Sequence, residues 1–180
     1  GWIKYGPDGE TKIQTASSVY IAAQKNNAEA IRALKEAGVD FSKDQGWVQY
    51  RPDGETKIET ISSVYIAAEK NSAEAIRALK DAQVDFSKDQ GGITYGPDGE
   101  TKIHTFSSVY LAAAKNSAEA IRALKEAGVD FSQDSGAVQY RSDGETKIHT
   151  VSSVFRAADK NNAEAIRALK EAGVDFSQDS

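Results

Sequence analysis

The chain carries few side chains that could do chemistry, and the two histidines are the first to consider. His104 and His149 are the only histidines, and forty-five positions separate them. Imidazoles bind metal ions, but a structural zinc site uses four ligands, and no convergent carboxylate accompanies these two at close spacing. The chain also has no Cys, which excludes disulfides and thiolate metal sites. We therefore expect no metal ion and no cofactor.

Serine and acidic residues also lack a catalytic pattern. The pair Ser17 and Ser18 returns in every copy of a repeat, at the predicted start of a helix, and two of the copies contain no histidine to activate a hydroxyl. Asp8 and Glu10 flank a turn, where Asp has a backbone role. The Gly-Pro-Asp-Gly sequence at residues 6–9 lacks the strand, loop and helix order of a phosphate-binding loop. We expect no enzymatic activity.

The composition is that of a soluble protein without a polyanionic partner. Charged residues make up 27% of the 180 residues, and the formal net charge is −5. No basic patch stands out, so we expect neither nucleic acid nor an anionic membrane surface as a partner. No apolar run is long enough to span a membrane, and no secretory segment opens the sequence.

A tandem repeat supplies the elements that position these residues. The stretch Asn27–Ser42, NAEAIRALKEAGVDFS, returns in near copies every forty-five residues. We expect one continuous array, because a helix pair this short cannot bury its own apolar stripes and must be stabilised by neighbouring units. The four units are 1–45, 46–90, 91–135 and 136–180, within a single array over 1–180.

Each unit begins with two alternating runs on either side of a turn, which predicts a β-hairpin. The turn at residues 6–9 has Pro at its second position and Gly at its fourth, which favours a type I turn followed by a bulge. Closing the hairpin at that bulge pairs Ile3 with Ile13. In the second unit it pairs Arg51 with Glu55, an arrangement favoured by their opposite charges.

The same register gives the two histidines a structural interpretation. It sets His104 opposite Gly92 and His149 opposite Ala137, so the imidazoles would fill space that tryptophan fills in the first two units. In this register the even-numbered positions of each unit, counted from its first residue, lie on one face of the sheet.

After the hairpin the apolar spacing changes from two to about 3.6, which predicts two helices. A serine caps the first helix, and Asn26 adopts the left-handed conformation in the tight turn that follows. Asn27 caps the second helix, which ends at Gly38. Gln83, the counterpart of Gly38, must adopt a left-handed conformation at a cost of roughly 1 kcal/mol, or the helix must end differently.

From Ser17 to Asp40 the sequence SSVYIAAQKNNAEAIRALKEAGVD resembles the ankyrin repeat, whose familiar form is T-P-L-H-x-A-A, a Gly turn and a second helix ending in G-A-D. Ser17–Tyr20 stands where that family has Thr-Pro-Leu-His, and Asn26 stands for the turn Gly. The ankyrin period is about 33 residues, so each unit here carries roughly twelve extra, all in the hairpin. The resemblance implies an α+β repeat solenoid whose hairpins and first helices line a concave surface that binds a protein or peptide.

The four units differ mainly in the hairpin and the first helix, whereas the second helix is almost constant. The changing positions include exposed aromatic side chains of the kind found in interfaces. Alternatively, they are solvent-facing positions that drift without a ligand, and the tryptophans pack between adjacent hairpins. The predicted binding residues are Trp2, Lys4, Ile21, Gln24, Trp47, Arg51, Glu59, Ile66, Glu69, His104, Phe106, Leu111, Arg141, His149, Arg156 and Asp159.

A second hypothesis is a structural or engineered repeat scaffold that associates end to end into a homo-oligomer, with no natural ligand. Repeat arrays need polar end caps, yet the first unit keeps its full apolar sequence. Only the last unit departs from it, as a partial cap. An open first unit favours stacking of one copy on another or pairing of edge strands. The cap residues are Ser142, Phe155, Arg156 and Asp159.

Overall fold

The chain folds into four units, each a β-hairpin followed by a helix pair, as the sequence predicts. The structure is a computed structural model that describes residues 1–87, 91–133 and 136–178, so the predicted unit ends at 90, 135 and 180 lie outside the described residues. The strands described are β1 (Trp2–Tyr5), β2 (Lys12–Ala16), β3 (Trp47–Tyr50), β4 (Lys57–Ile61), β5 (Gly92–Tyr95), β6 (Lys102–Phe106), β7 (Ala137–Tyr140) and β8 (Lys147–Val151). The first helices of the units are α1 (Ser18–Gln24), α3 (Ser63–Glu69), α5 (Ser108–Ala114) and α7 (Ser153–Asp159), and the second helices are α2 (Ala28–Glu36), α4 (Ala73–Asp81), α6 (Ala118–Glu126) and α8 (Ala163–Glu171). Short 3-10 turns lie at Phe41–Lys43, Phe131–Gln133 and Phe176–Gln178.

The strands form one antiparallel sheet in which they follow one another in chain order, from β1 to β8. The two strands of each hairpin pair with each other, and β2 also pairs with β3, β4 with β5 and β6 with β7. Successive hairpins are therefore hydrogen-bonded edge to edge. A side chain at one position of the unit can form a row across the whole sheet.

The hairpin register is shifted by two residues from the one predicted. The Cα partner of Ile3 is Thr15, where the sequence predicted Ile13. The predicted pairing of Arg51 with Glu55 is wrong for the same reason. A shift of two residues preserves the alternation of side chains. The even-numbered positions of each unit, counted from its first residue, therefore still lie on one face.

The register is shifted because the Asp8 side chain lengthens the turn by one residue and a β-bulge between Lys4 and Tyr5 adds a second. Its Oδ1 accepts the backbone N–H groups of Glu10 and Thr11 at 3.0 and 2.9 Å, and the Thr11 hydroxyl donates to Oδ2. The predicted tight turn does form, since the N–H of Gly9 donates to the carbonyl of Gly6 at 3.0 Å. The hairpin then closes one residue later than predicted, where the N–H of Gly6 donates to the Thr11 carbonyl at 2.8 Å.

Most of the predicted helix ends are confirmed, but the predicted cap of the second helix is confirmed only at Asn27, because the equivalent residues of the other three units make no cap hydrogen bond with their side chains. Ser17 caps α1 by accepting the N–H of Tyr20 at 3.0 Å. Asn26, between the two helices, has a φ of 51°. Gly38 follows α2 with a φ of 86°, and Gln83 adopts the same left-handed region with a φ of 68°. The second unit therefore keeps the helix ending of the others and accepts the conformational cost of a non-glycine residue.

The apolar core lies between the helices of successive units. Ile76 and Leu79 of α4 and Ile121 and Leu124 of α6 are fully buried. The first helices have seven residues and the second helices nine. Within the described ranges, no helix has the length and apolar character needed to cross a membrane.

Candidate binding surface

One face of the sheet carries two rows of side chains that differ between units. The inner row, next to the first helices, contains Trp2, Ala16, Trp47, Ile61, Gly92, Phe106, Ala137 and Val151. The outer row contains Lys4, Gln14, Gln49, Glu59, Thr94, His104, Gln139 and His149. Each member is the direct Cα partner of the next, so both rows run unbroken from β1 to β8.

In the first half of the inner row, a small side chain separates the two tryptophans. Ala16 is the Cα partner of both Trp2 and Trp47, and it is only 4% exposed. Trp2 is 50% exposed, whereas Trp47 and Ile61 are half-buried against the core. Trp47 thus lies between the first and second hairpins, whereas Trp2 lies in the edge strand β1 and keeps half of its surface open.

In the second half of the inner row, aromatic rings of the first helices fill the space beside small residues. A Cβ added at Gly92 would lie 3.3 Å from the ring of Tyr65 and 3.6 Å from the Cβ of Phe106. The ring centroids of Phe106 and Tyr110 are 6.1 Å apart, a distance typical of aromatic pairs. The row therefore rests on tyrosines of the first helices. Comparison of the units missed these residues because they hardly change.

The outer row is polar, and it holds both histidines. His104 is the Cα partner of Thr94 and of Gln139, and Gln139 is also the partner of His149. The sequence predicted His104 opposite Gly92 and His149 opposite Ala137. Both pairings are wrong, because the register is shifted. One strand lies between the imidazoles, which places their Cα atoms about 10 Å apart. Among the residues that the structure describes, no group of three or more His, Asp or Glu side chains could hold a metal ion.

The first helices add two further positions per unit. Ile21, Leu111 and Arg156 are half-buried, whereas Ile66 is only 4% exposed and belongs to the core. The other position lies one helical turn away and holds Gln24, Glu69, Ala114 and Asp159. We call the two rows together with these helix positions, except Ile66, the variable face.

The first half of the variable face has an acidic region that is partly shielded from solvent. Burial raises the pKa of Glu59 above the usual value of a glutamate. Burial, together with the charges of Glu69 and Glu59, also raises the pKa of the Tyr20 hydroxyl. A cation from the next unit reaches this region, since Lys115 Nζ lies 3.9 Å from Glu69 Oε1. A cationic group brought to this region would therefore meet two carboxylates in partly desolvated surroundings.

At the other end of the variable face, the guanidinium of Arg156 is held by hydrogen bonds to Tyr110 and Asp159. Arg156 Nε donates to the hydroxyl of Tyr110 at 2.6 Å, and its guanidinium lies 5.4 Å from the centre of that ring. Asp159 accepts from the same guanidinium at 3.0 Å. This half of the variable face thus carries a guanidinium paired with a carboxylate of the same helix, whereas the second unit carries the carboxylates of Glu59 and Glu69.

Clefts lie between successive hairpins near their tips, although the tips also pack together: a Cβ added at Gly54 would lie 2.7 Å from the Thr11 side chain. β2 and β3 pair over only three residues, and beyond Gln14 a cleft of about 550 Å³ opens, lined by Ile13, Tyr50 and Pro52 among others. The equivalent cleft between the third and fourth hairpins has a volume of about 620 Å³ and includes Tyr140. Every unit has a tyrosine at the position of Tyr50 and Tyr140, so a comparison of the units does not single these residues out.

The two arginines predicted as binding residues lie at the hairpin tips, at the edge of the clefts. Arg141 is exposed and lines the larger cleft. Arg51 is half-buried, and its Nε is buried without a hydrogen-bond partner among the described residues. Hydrogen bonds from the Thr146 hydroxyl and from the backbone of Glu145 and Thr146 lower the pKa of Asp143 to about 2, which keeps the neighbouring turn charged. The tips are thus separate from the two rows.

The fold is that of ankyrin repeats. No model of a known protein family matches the sequence, and neither does any curated protein. Among solved structures, the crystal structure of the human ASB11 ankyrin repeat domain aligns with 90% of this chain, with a TM-score of 0.56 and 16% sequence identity. The chain spans 57% of the length of that domain. A likeness at this level of identity establishes an ankyrin-like architecture, and function must be argued from the site.

Proposed function

We propose that this chain binds a protein or a peptide through the variable face and has no enzymatic activity. The observation that carries the proposal is the continuity of the two rows: nearly all strand positions that differ between units fall on them, whereas α2, α4, α6 and α8 are almost identical. A repeat solenoid presents this kind of extended surface to its ligands. Sequence drift at solvent-facing positions is the competing explanation.

The shape of the variable face suits an extended segment. Eight strands about 4.8 Å apart give each row a length of roughly 34 Å, which matches an extended peptide of about ten residues. The inner row supplies partly exposed aromatic and aliphatic side chains, and the outer row supplies amide, carboxylate and imidazole groups. Apolar anchors beside polar groups that fix orientation are typical of peptide sites.

The charges of the variable face favour one orientation of a bound peptide along the two rows. The carboxylates of Glu59 and Glu69 lie in the second unit, whereas the guanidinium of Arg156 lies in the fourth. We expect a basic side chain of the partner beside the two carboxylates and an acidic group towards Arg156. Complementary charges of this kind fix register and raise association rates more than they raise affinity.

Selection from a displayed random peptide library on the purified chain tests the proposal. Selected peptides should carry a basic residue and at least one large apolar residue, and their binding should change the fluorescence of the two tryptophans, both of which lie in the inner row. Trp2→Ala should weaken binding about tenfold or more, because a half-exposed indole is a typical interface anchor.

A matched pair of lysine variants separates the variable face from the rest of the surface. Lys4 lies in the outer row, whereas Lys80 lies at the exposed end of α4. Lys4→Ala should change peptide affinity severalfold, and Lys80→Ala should leave it unchanged. If Lys80→Ala weakened binding while Lys4→Ala and Trp2→Ala did not, the proposed face would be wrong.

A further inference from the structure

The first unit exposes a surface that every later unit buries. Ala33 is exposed and Leu34 is half-buried. Their counterparts in the other three units are at most 1% exposed. A cavity of about 600 Å³ lies on this surface, lined by Trp2, Ile21, Ala30 and Leu34 among others. We call Trp2, Ile21, Ala30, Ala33 and Leu34 the leading face.

The last unit exposes the opposite half of the same interface. Phe155 is 58% exposed, whereas its counterparts Tyr20 and Tyr110 are 6% and 8% exposed. Ala158 is exposed although the equivalent alanine of each earlier unit is fully buried. Ile148 is 56% exposed as well. We call Ile148, Phe155 and Ala158 the trailing face.

Ion pairs between second helices show which groups meet when a trailing surface covers a leading one. Arg77 Nε lies 3.1 Å from Glu126 Oε2, and one unit later Arg122 Nε lies 2.9 Å from the corresponding oxygen of Glu171. The next arginine in this series is Arg167, which lies in α8, the last α-helix that the structure describes. The glutamate that would receive it in a second copy is Glu36. The Arg–Glu pair would thus continue from one copy to the next.

Asparagine side chains give the leading and trailing faces a second polar match. Asn116 Oδ1 accepts the N–H of Ala165 at 3.0 Å, so it caps the second helix of the following unit. Asn162, the N-cap residue of that helix, therefore makes no cap hydrogen bond. Its side-chain N–H group donates to the last two carbonyls of α5, at 2.8 and 3.0 Å. The first unit has the same residue, Asn27, which caps its own helix by accepting the N–H of Ala30 at 2.9 Å. The last unit of a second copy, placed before the first unit, would supply an asparagine that caps α2. Asn27 could then donate to the last carbonyls of the first helix of that unit, as Asn162 does to α5.

The sheet also provides matching edges. β1 and β8 are its outer strands. If β8 paired with β1 of a second copy as β2 pairs with β3, Val151 would lie opposite Trp2, in the position that Ala16 has beside Trp47. Both rows of the variable face would then continue across the junction.

From these observations we propose that copies of the chain associate head to tail, with the trailing face of one copy seated on the leading face of the next. The occupant is a second copy because the three junctions inside the chain are already this interface, built from nearly the same residues. The association leaves most of the variable face open, although Trp2 and Ile21 belong to both surfaces. Two different faces meet, so each added copy presents a new free face and the series stays open.

Two blocking variants test the proposal by sedimentation velocity over a range of concentrations. Ala33→Arg places a cation on the leading face only, and Phe155→Arg places one on the trailing face only. Both residues are exposed, so both variants should keep the fold, which circular dichroism checks. The unaltered chain should grow in mass beyond a dimer as concentration rises, whereas each variant alone should stay a single chain.

An equimolar mixture of the two variants gives the decisive result. Each variant keeps the face that the other lacks, so the mixture should form a dimer and stop there. Glu100→Arg is the matched control, because it adds the same side chain at an exposed position of the third hairpin, away from both ends and from the variable face, and it should associate like the unaltered chain. A single-chain mass of the unaltered protein at every concentration would overturn the proposal, as would self-dimerisation of Phe155→Arg.

The polar contact can be tested separately by charge exchange. Arg167→Glu and Glu36→Arg should each weaken association up to about fivefold, since exposed ion pairs contribute little. The double variant should restore it, because the exchanged charges again attract each other. If the double variant associated more weakly than either single variant, the pairing of these two residues would be refuted.

Discussion

The helices α2 and α6 have the same nine-residue sequence but different surroundings. Both read AEAIRALKE. Leu124 of α6 is fully buried, whereas Leu34 of α2 is only half-buried; Ala123 is likewise buried where Ala33 is exposed. Both helices form all the same. The amphipathic sequence is therefore sufficient for the helix, and the neighbouring unit decides how much apolar area it buries.

Their caps differ in the same way. Asn27 caps α2 from within its own unit, accepting the N–H of Ala30 at 2.9 Å. At α6 the side chain of the N-cap residue makes no cap hydrogen bond, and Asn71 of the preceding unit accepts the N–H of Ala120 at 3.0 Å. The third and fourth units thus use a longer-range contact for the same backbone group, which links the start of these helices to the stacking of units.

The largest expected difference between the two helices concerns their leucines. Leu124→Ala should lower the free energy of unfolding by about 3 kcal/mol, because it leaves a cavity in a fully buried site. Leu34→Ala should lower it by only about 1 kcal/mol, because part of that side chain already lies in solvent. Guanidinium unfolding followed by circular dichroism measures both. Equal losses would mean that the surface of α2 is covered in solution.

The cross-unit cap should be worth less than the leucine. Asn116→Gly keeps a residue suited to the left-handed conformation but removes the side chain that caps α8, so we expect a loss of about 1 kcal/mol. Asn26 has the same backbone conformation, but among the described residues its side chain caps no helix of the following unit. Asn26→Gly should therefore change stability by only a few tenths of that amount. A similar loss in both variants would show that backbone flexibility, and not the cap, controls the effect.

Sequence analysis predicted the features that depend on a few neighbouring residues. Ser17 caps α1, Asn26 and Gln83 adopt positive φ, and the hairpins and helix pairs lie where the pattern changes period. It failed on the hairpin register because the choice depends on a side chain. Asp8 binds the backbone of both Glu10 and Thr11, and nothing in the alternating pattern reveals which residue closes the loop.

The candidate surface was predicted in part, for a related physical reason. The shared face of the even positions follows from strand alternation alone. Burial does not, because Ile21 and Ile66 have the same neighbours in sequence, yet Ile21 is half-buried and Ile66 is 4% exposed. The difference comes from the unit in front of Ile66, which the repeat itself cannot show.

A substitution of Gln83 tests whether identical helix endings have identical costs. Gln83 has a φ of 68°, and the equivalent Gly128 has a φ of 99°. Gln83→Gly should raise the free energy of unfolding by up to about 1 kcal/mol, because glycine enters this region without strain. The reciprocal Gly128→Gln should lower it by a similar amount. Thermal unfolding of both variants measures the two changes, and a loss of stability in Gln83→Gly would indicate that the glutamine side chain makes a compensating contact.

The smallest expected difference concerns the last residues of the two helices, Glu36 and Glu126. Both occupy the same helical position, so replacement by Gln has the same effect on the helix dipole in each. Only Glu126 receives an arginine from the preceding unit, with Arg77 Nε at 3.1 Å. At concentrations where the chain is single, Glu126→Gln should cost about 0.5 kcal/mol more than Glu36→Gln in low salt. The difference should vanish near 1 M salt, where charges are screened over about 3 Å. A difference that persisted in high salt would instead assign the stabilisation to packing of the glutamate stem between units.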